Sequence, residues 1–478
     1  MHLRKIDETY LKVEAEPAVV QELSEVFTFE VPGAKFMPAV RNRFWDGKIR
    51  LLNALTGATY AGLADEIERF CKVRDYEFTS DDSLKPRGLK LTDEQIVEFL
   101  QKIQVTLEPR LYQVEAFRQA VECERGVFVS PTASGKSFII YLIARFFGLK
   151  TLIVVPTTSL VSQLASDFKD YGYTDETHAI YSGQAKSTDK LITISTWQSI
   201  FKLPKTWFDE YDVIIGDEAH QFKAKSLTSI MEKAGKIKYR FGFTGTLDGS
   251  MTNEITLMGL FGSVHRVTTT KELMDDGKVA QLKIKVIVLN YSKEDKKLCS
   301  KMSYHDEVDW LVSNPKRNKF LRNLAMSLEG NSLLLFQFVD KHGKLLYDMI
   351  RSKAPDRKVF FIHGGVDAND REAVRRIVEK EPDAIIVASY GTFSTGVNIR
   401  NLHNVVFTSP TKSRIRTLQS IGRGLRLSET KDAVTVYDIG DNLTKGERVN
   451  YTLQHLTERV NIYNSEDFEY KIVTVNME

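Results

Sequence analysis

The stretch Ser130-Pro131-Thr132-Ala133-Ser134-Gly135-Lys136-Ser137 decides the fold class. It follows the apolar run 127–129 and precedes a helical pattern over 138–147. Strand, tight loop and helix form the context of a phosphate-binding loop, in which backbone N–H groups and the helix N-terminus bind phosphate. Lys136 then reaches the β- and γ-phosphates, and the Ser137 hydroxyl holds Mg²⁺. The usual pattern opens with Gly where this chain has Ser130, so the rest of the chain must decide between nucleotide binding and chance.

Length, composition and charge narrow the class of protein. The 478 residues predict about three domains, and the fractions of apolar (42%) and charged (27%) residues are ordinary for a globular protein. Cys71, Cys123 and Cys299 lie far apart, which favours packing roles in a reducing cytoplasm over a metal site. Neither an apolar targeting segment nor a run of about 18 apolar residues is present, so a cytoplasmic protein without a membrane span is expected. The net charge of +3 means that any nucleic-acid-binding surface must be local.

Two blocks of alternating apolar strands and amphipathic helices follow a small N-terminal region. Continuous apolar strands joined by helices predict doubly wound parallel sheets, so the fold class is α/β with two such domains in tandem after a small α+β domain. The strands predicted in the first block are 127–130, 151–156, 191–195, 213–217 and 239–244. Those predicted in the second block are 333–338, 358–363, 384–389, 404–408 and 434–438. The expected domains are 1–85, a linker and helix over 86–106, the two parallel-sheet domains 107–270 and 271–460, and a tail over 461–478.

A second polar cluster ends the predicted strand 213–217. There Asp217 and Glu218 are followed by Ala219 and His220. Nucleotide hydrolysis needs one carboxylate that holds Mg²⁺ and another that orients and deprotonates water, and Asp217 and Glu218 fit these roles. The alternative is a helix N-terminus with an acidic first turn. Because this cluster follows Lys136 within one α/β block, the pair of motifs favours hydrolysis of ATP or GTP.

A third cluster, Gln419, Arg423 and Arg426, lies in the second block. Residues three apart share one face of a helix, so both guanidinium groups are predicted to point the same way. Such arginines can stabilise charge on a transferring γ-phosphoryl group, and a solvated basic helix is the alternative. Since the phosphate loop is in the other block, the prediction is a site that both domains complete.

The motifs and their order resemble those of superfamily-2 helicases and translocases, whose two RecA-like domains close on ATP. The matching segments are 111–113, 130–137 (motif I), 155–160 (Ia), 194–198 (Ib), the DEAH box 217–220 (II), 244–246 (III), 389–398 (V) and 419–426 (VI). In this family motif I often lacks its first Gly. Motif III reads Thr244-Gly245-Thr246 where the family carries Ser/Thr-Ala-Thr. The resemblance implies an ATP-dependent nucleic-acid motor with ATP and Mg²⁺ as cofactors.

The resemblance also implies roles for individual residues. Around the nucleotide it implies Tyr112 and Gln113 at the adenine, Thr132, Ala133, Ser134, Gly135, Lys136, Ser137 and Gly396 in the binding set, and Gln419 as a link to the second domain. It implies Thr157, Thr196, Ser394 and Thr395 at the phosphates of the tracking strand, and His220, Thr244 and Thr246 as the relay between nucleotide and DNA. A purely structural histidine at 220 and a simple strand-to-helix turn at motif V are the alternatives. Lys412, Arg414 and Arg416, and the segment 363–365, are further candidates for nucleic-acid contact or for a solvated surface.

Residues 35–50 carry five basic side chains and one acidic side chain, interleaved with Phe36, Phe44 and Trp45. In one interpretation Arg41, Arg43, Lys48 and Arg50 bind phosphates while exposed rings stack on bases. In the other, Phe44 and Trp45 pack inside a β-hairpin that turns at residues 46–47. The segment 44–50, ahead of a compact helicase core, resembles phage recombination helicases of the UvsW type.

That resemblance implies Holliday-junction branch migration, replication-fork regression and R-loop unwinding in DNA recombination and repair. The leading prediction is therefore a monomeric ATP-dependent DNA helicase that acts on branched or duplex DNA, or on RNA–DNA hybrids, in an infected bacterial cell. A duplex translocase without strand separation, an RNA helicase and an ATP-switched clamp are the alternatives, and the intact Glu218, Arg423 and Arg426 argue against the clamp. No segment of the sequence identifies a strand-separating wedge.

Overall fold

The computed structural model of the chain describes residues 1–31, 33–85, 87–181, 183–396, 399–428 and 431–477. It divides into two compact units. The first comprises Met1–Ser130 and Gly135–Thr268, and the second comprises Pro131–Ser134 and Thr269–Glu478. The N-terminal region therefore belongs to the same unit as the first parallel sheet.

The N-terminal domain combines a four-stranded sheet, helices and a two-stranded ribbon. Its elements are β1 (His2–Lys5), β2 (Tyr10–Glu14), α1 (Pro17–Val26), β3 (Thr28–Glu30), α2 (Pro38–Arg41), β4 (Lys48–Arg50), β5 (Ala58–Tyr60), α3 (Ala64–Arg74) and β6 (Thr79–Ser80). The sheet has the order β5-β2-β1-β6, and β3 pairs with β4 in the antiparallel ribbon. Strand β3 is short, because α1 continues to Val26 and Phe27 turns into the core.

The first parallel-sheet domain contains the next helices and strands that the structure describes. They are α4 (Asp93–Lys102), α5 (Leu111–Cys123), β7 (Arg125–Val129), α6 (Lys136–Phe147), β8 (Thr151–Val155), α7 (Thr158–Asp170), β9 (His178–Ile180), β10 (Ile192–Thr196), α8 (Trp197–Ile200), α9 (Lys205–Phe208), β11 (Val213–Asp217), α10 (Lys225–Lys233), β12 (Tyr239–Thr244), α11 (Met251–Phe261) and β13 (Val264–Arg266). Seven parallel strands take the order β13-β7-β12-β11-β8-β10-β9. The five predicted strands are present, whereas the short edge strands β9 and β13 are not apparent from the sequence pattern.

Helices cover both faces of this sheet, so its strands contribute to two core clusters. Ile153 and Ile215 face one cluster, and Leu152 and Ile214 face the other. Burial on both faces explains why these strands read as continuous apolar runs rather than as alternating ones.

The second unit carries a parallel sheet of equal size. Its elements are α12 (Thr270–Asp275), β14 (Gln281–Asn290), α13 (Lys293–Cys299), α14 (Tyr304–Ser313), α15 (Pro315–Ser327), β15 (Ser332–Phe336), α16 (Lys344–Arg351), β16 (Val359–Ile362), α17 (Ala368–Val378), β17 (Ile385–Ser389), α18 (Tyr390–Gly396), β18 (Asn404–Phe407), α19 (Arg414–Gly424), β19 (Ala433–Asn442), α20 (Tyr451–Ser465) and β20 (Tyr470–Asn476). The strand order is β16-β17-β15-β18-β19-β14-β20, and every pairing is parallel. Within the residues predicted as a tail, β20 pairs with β14 and extends the sheet.

The shorter turns complete the path of the chain. They are 3₁₀ turns at Ala34–Phe36, Ala61–Leu63, Asp82–Leu84 and Ala219–Gln221, and a π-helical turn at Val339–Gly343. Two doubly wound parallel sheets after a small α+β domain confirm the predicted fold class. Among the helices described, none is long and apolar enough to cross a membrane.

Candidate nucleotide site and nucleic-acid surfaces

The phosphate-binding loop joins β7 to α6, and Lys136 and Ser137 are the first residues of that helix. Gly135 has a φ of 79°, and a β-carbon at this position would lie 2.3 Å from the Gln113 side-chain nitrogen. Glycine is therefore required here both for its backbone conformation and for the close approach. Gln113 is buried against the loop, whereas the Tyr112 hydroxyl, half-exposed, accepts a hydrogen bond from Arg110 at 2.7 Å. The structure thus brings together the loop and the predicted adenine-reading segment.

Lys136 forms an ion-paired cluster with the two carboxylates of the DEAH box. Its Nζ lies 3.0 Å from Asp217 Oδ1 and 3.4 Å from Glu218 Oε1. Burial alone would lower the pKa of Lys136, but the two carboxylates outweigh it and raise that pKa, so the lysine stays protonated. Its charge is available to phosphates, and the carboxylates that it holds are available to a cation.

The donor set at the loop fits Mg²⁺, because the Ser137 hydroxyl and the Asp217 carboxylate are oxygen ligands of the kind this ion prefers. Ser137 Oγ is hydrogen-bonded to the hydroxyl of Tyr171 at 2.7 Å. The Tyr171 ring packs edge-on against Phe138 with centroids 5.0 Å apart, and 5.6 Å from Tyr141. Sequence reasoning misses Tyr171, which follows α7 with no motif around it. Only its contact with α6 reveals it.

His220 connects the DEAH box to motif III. The side chain is buried, and burial lowers its pKa, so the ring is neutral at neutral pH. Its Nδ1 lies 3.0 Å from Thr244 Oγ1, and that hydroxyl donates to the Thr246 carbonyl at 3.0 Å. The three predicted relay residues are therefore in contact, whereas the relay itself stays a prediction.

Strand order separates the nucleotide side of the sheet from the predicted nucleic-acid side. Strand β11, which carries Asp217, lies between β12 and β8. Thr157 follows β8 and Thr196 ends β10, and Gln198 donates to the Pro156 carbonyl at 3.3 Å to join the two loops. Thr157 is half-exposed, whereas Thr196 is buried and hydrogen-bonded to Ser199 at 2.9 Å. Of this predicted pair, Thr157 is the more accessible to a phosphate.

In motif VI the structure corrects one prediction. Gln419 and Arg423 lie in α19, but the helix ends at Gly424, so Arg426 does not share a helical face with Arg423. The helix ends where Gly424 packs closely on β19: a β-carbon there would lie 3.0 Å from Val434. The Arg423 guanidinium lies 5.6 Å from the centre of the Phe393 ring.

The other predicted residues of the second unit have different surroundings. Ser394, Thr395 and Gly396 are the last residues of α18, and Val397 and Asn398 of motif V lie outside the described residues. Arg414 pairs with Glu466, so it ties α19 to the end of α20. Lys412 and Arg416 remain exposed.

The N-terminal stretch also departs from one of its two interpretations. Phe44 is 85% exposed and Phe36 is 73% exposed, so the prediction that Phe44 packs inward is wrong. Trp45 is half-buried, and its indole N–H donates to the Lys48 carbonyl at 2.9 Å. The ring of Phe44 points outward because this N–H bond and the turn at Gly47 fix Trp45, not Phe44, on the ribbon.

The four predicted cations of this stretch lie in two places. Arg41 and Arg43 are exposed in the segment that also carries Phe36 and Phe44. Lys48 and Arg50 line a cleft of about 1070 Å³ between the N-terminal domain and the first sheet domain, which Lys223 also lines.

Three family models match parts of the chain. The model described as DNA helicase UvsW, N-terminal, matches residues 1–81. The model of the type III restriction enzyme res subunit matches 106–249, and that of the helicase conserved C-terminal domain matches 316–428. Together they cover the N-terminal domain and parts of both parallel-sheet domains.

Similar proteins and structures agree with these models. The chain is 34% identical over 501 aligned positions to the ATP-dependent DNA helicase uvsW of Enterobacteria phage T4, covering 98% of each. It is 24% identical to the DNA 3'-5' translocase XPB2 of Sulfurisphaera tokodaii, over 71% of this chain and 82% of that one. The crystal structure of T4 UvsW aligns with all of this chain and 99% of its own, at 30% identity and a TM-score of 0.52. A fragment of a type I restriction HsdR subunit from Vibrio vulnificus shares the fold, at 17% identity and a TM-score of 0.61, over 86% of this chain and 74% of that one.

Proposed function

The chain belongs to the family of UvsW-type ATP-dependent DNA helicases, and on that premise we propose that it uses ATP hydrolysis to unwind and migrate branched DNA. The observation that carries this proposal is the cluster of Lys136, Asp217 and Glu218 beside the phosphate-binding loop. A site for binding alone would need the lysine and the loop. The second carboxylate adds a group that can activate water.

In the proposed reaction Lys136 and the loop amides bind the phosphates of ATP. Ser137 and Asp217 hold Mg²⁺, which neutralises phosphate charge when it is bound. Glu218 orients the attacking water and takes its proton. Arg423 and Arg426 are proposed to stabilise charge on the γ-phosphoryl group, and Gln419 is proposed to act with them.

A change in the bound nucleotide is proposed to affect DNA binding through His220, Thr244 and Thr246, which contact one another. The contact of His220 with Thr244 makes motif III sensitive to a change at the DEAH box. Thr157, Thr196, Ser394 and Thr395 are proposed to bind backbone phosphates. Such contacts position the strand and carry no sequence information, so selectivity is for the shape of the branch.

The test is strand displacement by the full chain on four substrates: a four-way junction, a fork, an R-loop and an RNA duplex. We expect ATP-dependent activity on the three branched substrates and ATP hydrolysis that DNA stimulates. Activity on the RNA duplex alone would contradict the proposal in favour of an RNA helicase. Stimulated hydrolysis without any strand displacement would favour a duplex translocase.

The predicted N-terminal phosphate contacts have their own test. Replacing Arg41, Arg43, Lys48 and Arg50 by Ala should weaken junction binding and lower the slope of log affinity against log salt by about 3. The control replaces Arg4, Lys12, Arg69 and Lys72, four cations of the same domain that lie outside residues 35–50. An equal loss in both variants would show a general effect of charge rather than a binding surface.

A further inference from the structure

We propose that residues 33–47, which we call the aromatic knob, engage the branch point of the DNA by stacking Phe36 and Phe44 on its unpaired or terminal bases. The knob lies between β3 and β4, at the end of the antiparallel ribbon. This inference rests on the proposed function, since it names the element that separates strands and the feature of the substrate that it recognises.

The first argument is exposure. Phe36 and Phe44 are 73% and 85% exposed, and Met37 beside Phe36 is 45% exposed. Burying such a side chain is worth about 1.5–3 kcal/mol, yet neither ring joins the core of its own domain, where Leu23, Leu52 and Ile67 are buried. Two large rings in one short segment form a surface that a partner can cover.

The second argument is that the knob is built rather than loose. The amides of Phe44 and Trp45 donate to the Ala39 carbonyl at 2.8 and 3.2 Å, and the Val31 amide donates to Gly47 at 2.9 Å. A β-carbon on Gly47 would lie 2.9 Å from the β-carbon of Ala34, so the two arms of the knob are in contact. The rings are therefore presented on a fixed support, which lowers the entropy lost when they stack.

The third argument is charge, which identifies the partner. The same segment carries Lys35, Arg41 and Arg43, all exposed, and the Lys35 ammonium lies 5.1 Å from the centre of the Phe36 ring. The single acid of the segment, Asp46, pairs with Arg50. A segment with both cations and exposed rings is suited to a partner that has negative charge and base faces open to stacking. Single-stranded nucleic acid has both of these properties. Inside a duplex those faces are already stacked, whereas a branch point offers at least one free face.

The fourth argument is mechanical. A wedge must move with the motor that pulls the strand, and the N-terminal domain is fixed to the first sheet domain. Tyr60 donates to Glu232 at 2.9 Å, and Thr9 donates to the Met231 carbonyl at 3.1 Å. A β-carbon on Gly62 would lie 2.1 Å from the Met258 carbonyl, so the two surfaces are closely packed.

The test compares three variants of the full chain. Phe36→Ala with Phe44→Ala removes both rings, Phe36→Tyr with Phe44→Tyr keeps them, and Leu55→Ala removes an equally exposed apolar side chain of the same domain. Affinity is measured by fluorescence anisotropy for a four-way junction and a linear duplex, each with 2-aminopurine at the central position. ATP turnover is measured with single-stranded DNA.

We expect the double Ala variant to lose about a hundredfold in junction affinity, because it removes two rings and stacking on one base is worth roughly tenfold. Duplex affinity, the salt dependence of binding and turnover at saturating single-stranded DNA should stay as in the wild type, and the 2-aminopurine signal of the junction should no longer change. The Tyr and Leu55 variants should behave as the wild type.

Two outcomes would overturn the inference. Junction affinity that survives the double Ala change leaves the proposed function intact and removes the knob from it. A wild type that binds junction and duplex alike refutes both the knob and the proposed selectivity for branches.

Discussion

The two parallel sheets have equal numbers of strands but place their charged pairs differently. In the first sheet, Lys136 and Asp217 pair at the carboxyl end of the strands and keep 19% and 13% of their side chains exposed. In the second, the pairs Arg459–Asp438 and Arg317–Asp441 are at most 1% exposed. The same architecture therefore holds a partly exposed ion pair, which a ligand can contact, in the first sheet domain and fully buried ion pairs in the second.

In each buried pair the carboxylate also accepts a hydrogen bond from a tyrosine hydroxyl. Asp438 accepts from Arg459 and from the Tyr463 hydroxyl at 2.7 Å. Asp441 accepts from Arg317 at 2.8 Å and from the Tyr291 hydroxyl at 2.8 Å. The comparison teaches that exposure, rather than charge alone, separates a cluster that a ligand can reach from a structural one.

The largest effect on ATP turnover is expected at the partly exposed cluster of Lys136, Asp217 and Glu218. Glu218→Gln removes the base and keeps the shape, so DNA-stimulated ATP turnover should fall by about 10²–10⁴-fold while thermal stability is unchanged. Lys136→Ala should abolish turnover by removing the phosphate partner. Turnover is measured by phosphate release at saturating ATP and DNA.

The matched control is Glu210→Gln, since Glu210 pairs with Lys150 on the surface of the same domain. It should leave turnover within a factor of two, a small effect typical of exposed ion pairs. Equal turnover in Glu218→Gln and in the wild type would contradict the assigned mechanism.

A smaller effect, on the free energy of unfolding alone, is expected at the buried pairs Arg459–Asp438 and Arg317–Asp441. Asp438→Asn leaves the Arg459 guanidinium buried without its carboxylate, which costs about 3–5 kcal/mol. Hydrogen exchange of the β19 amides should speed up accordingly. Asp309 pairs with Lys341 on the surface, and their side chains are 52% and 61% exposed. Asp309→Asn should therefore change the free energy of unfolding by less than about 1 kcal/mol. If both variants exchange alike, burial does not distinguish the pairs.

The sequence predicts what local patterns determine. The runs that became β11 and β12 are continuous and apolar, and Lys136, Asp217 and His220 follow such runs at motif spacing. Their positions could be predicted because parallel strands bring their carboxyl ends to one edge.

Three features could not be predicted, because they depend on long-range packing. The end of α19 before Arg426 coincides with a close approach of Gly424 to β19. The exposure of Phe44 is set by which neighbour the ribbon holds, since both faces of a two-stranded ribbon are open to an aromatic residue. Tyr171 reaches Ser137 across 34 residues of chain, so no local pattern identifies it.

The smallest effect is expected at Tyr171, which contacts Ser137, the residue next to Lys136 in the chain. Tyr171→Phe removes the hydroxyl that is hydrogen-bonded to Ser137 and keeps the ring contacts with Phe138 and Tyr141. Burial raises the pKa of Tyr171 to about 12, so the phenol is protonated and the bond persists at neutral pH. The loss of one hydrogen bond, about 0.5–1.5 kcal/mol, should weaken Mg²⁺-dependent binding of a fluorescent ATP analogue by about two- to tenfold.

If Tyr171 positions Ser137, two further results are expected when binding of the ATP analogue is measured. Binding of the analogue in EDTA should not change, and Tyr171→Phe should add nothing in a Ser137→Ala background, because the hydroxyl acts only through Ser137. Tyr173→Phe is the control, since its ring packs on Phe168 and its hydroxyl has no contact with Ser137 among the described hydrogen bonds. A loss that persists in EDTA or in the Ser137→Ala background would show that Tyr171 supports the structure of the domain rather than positioning Ser137 for Mg²⁺.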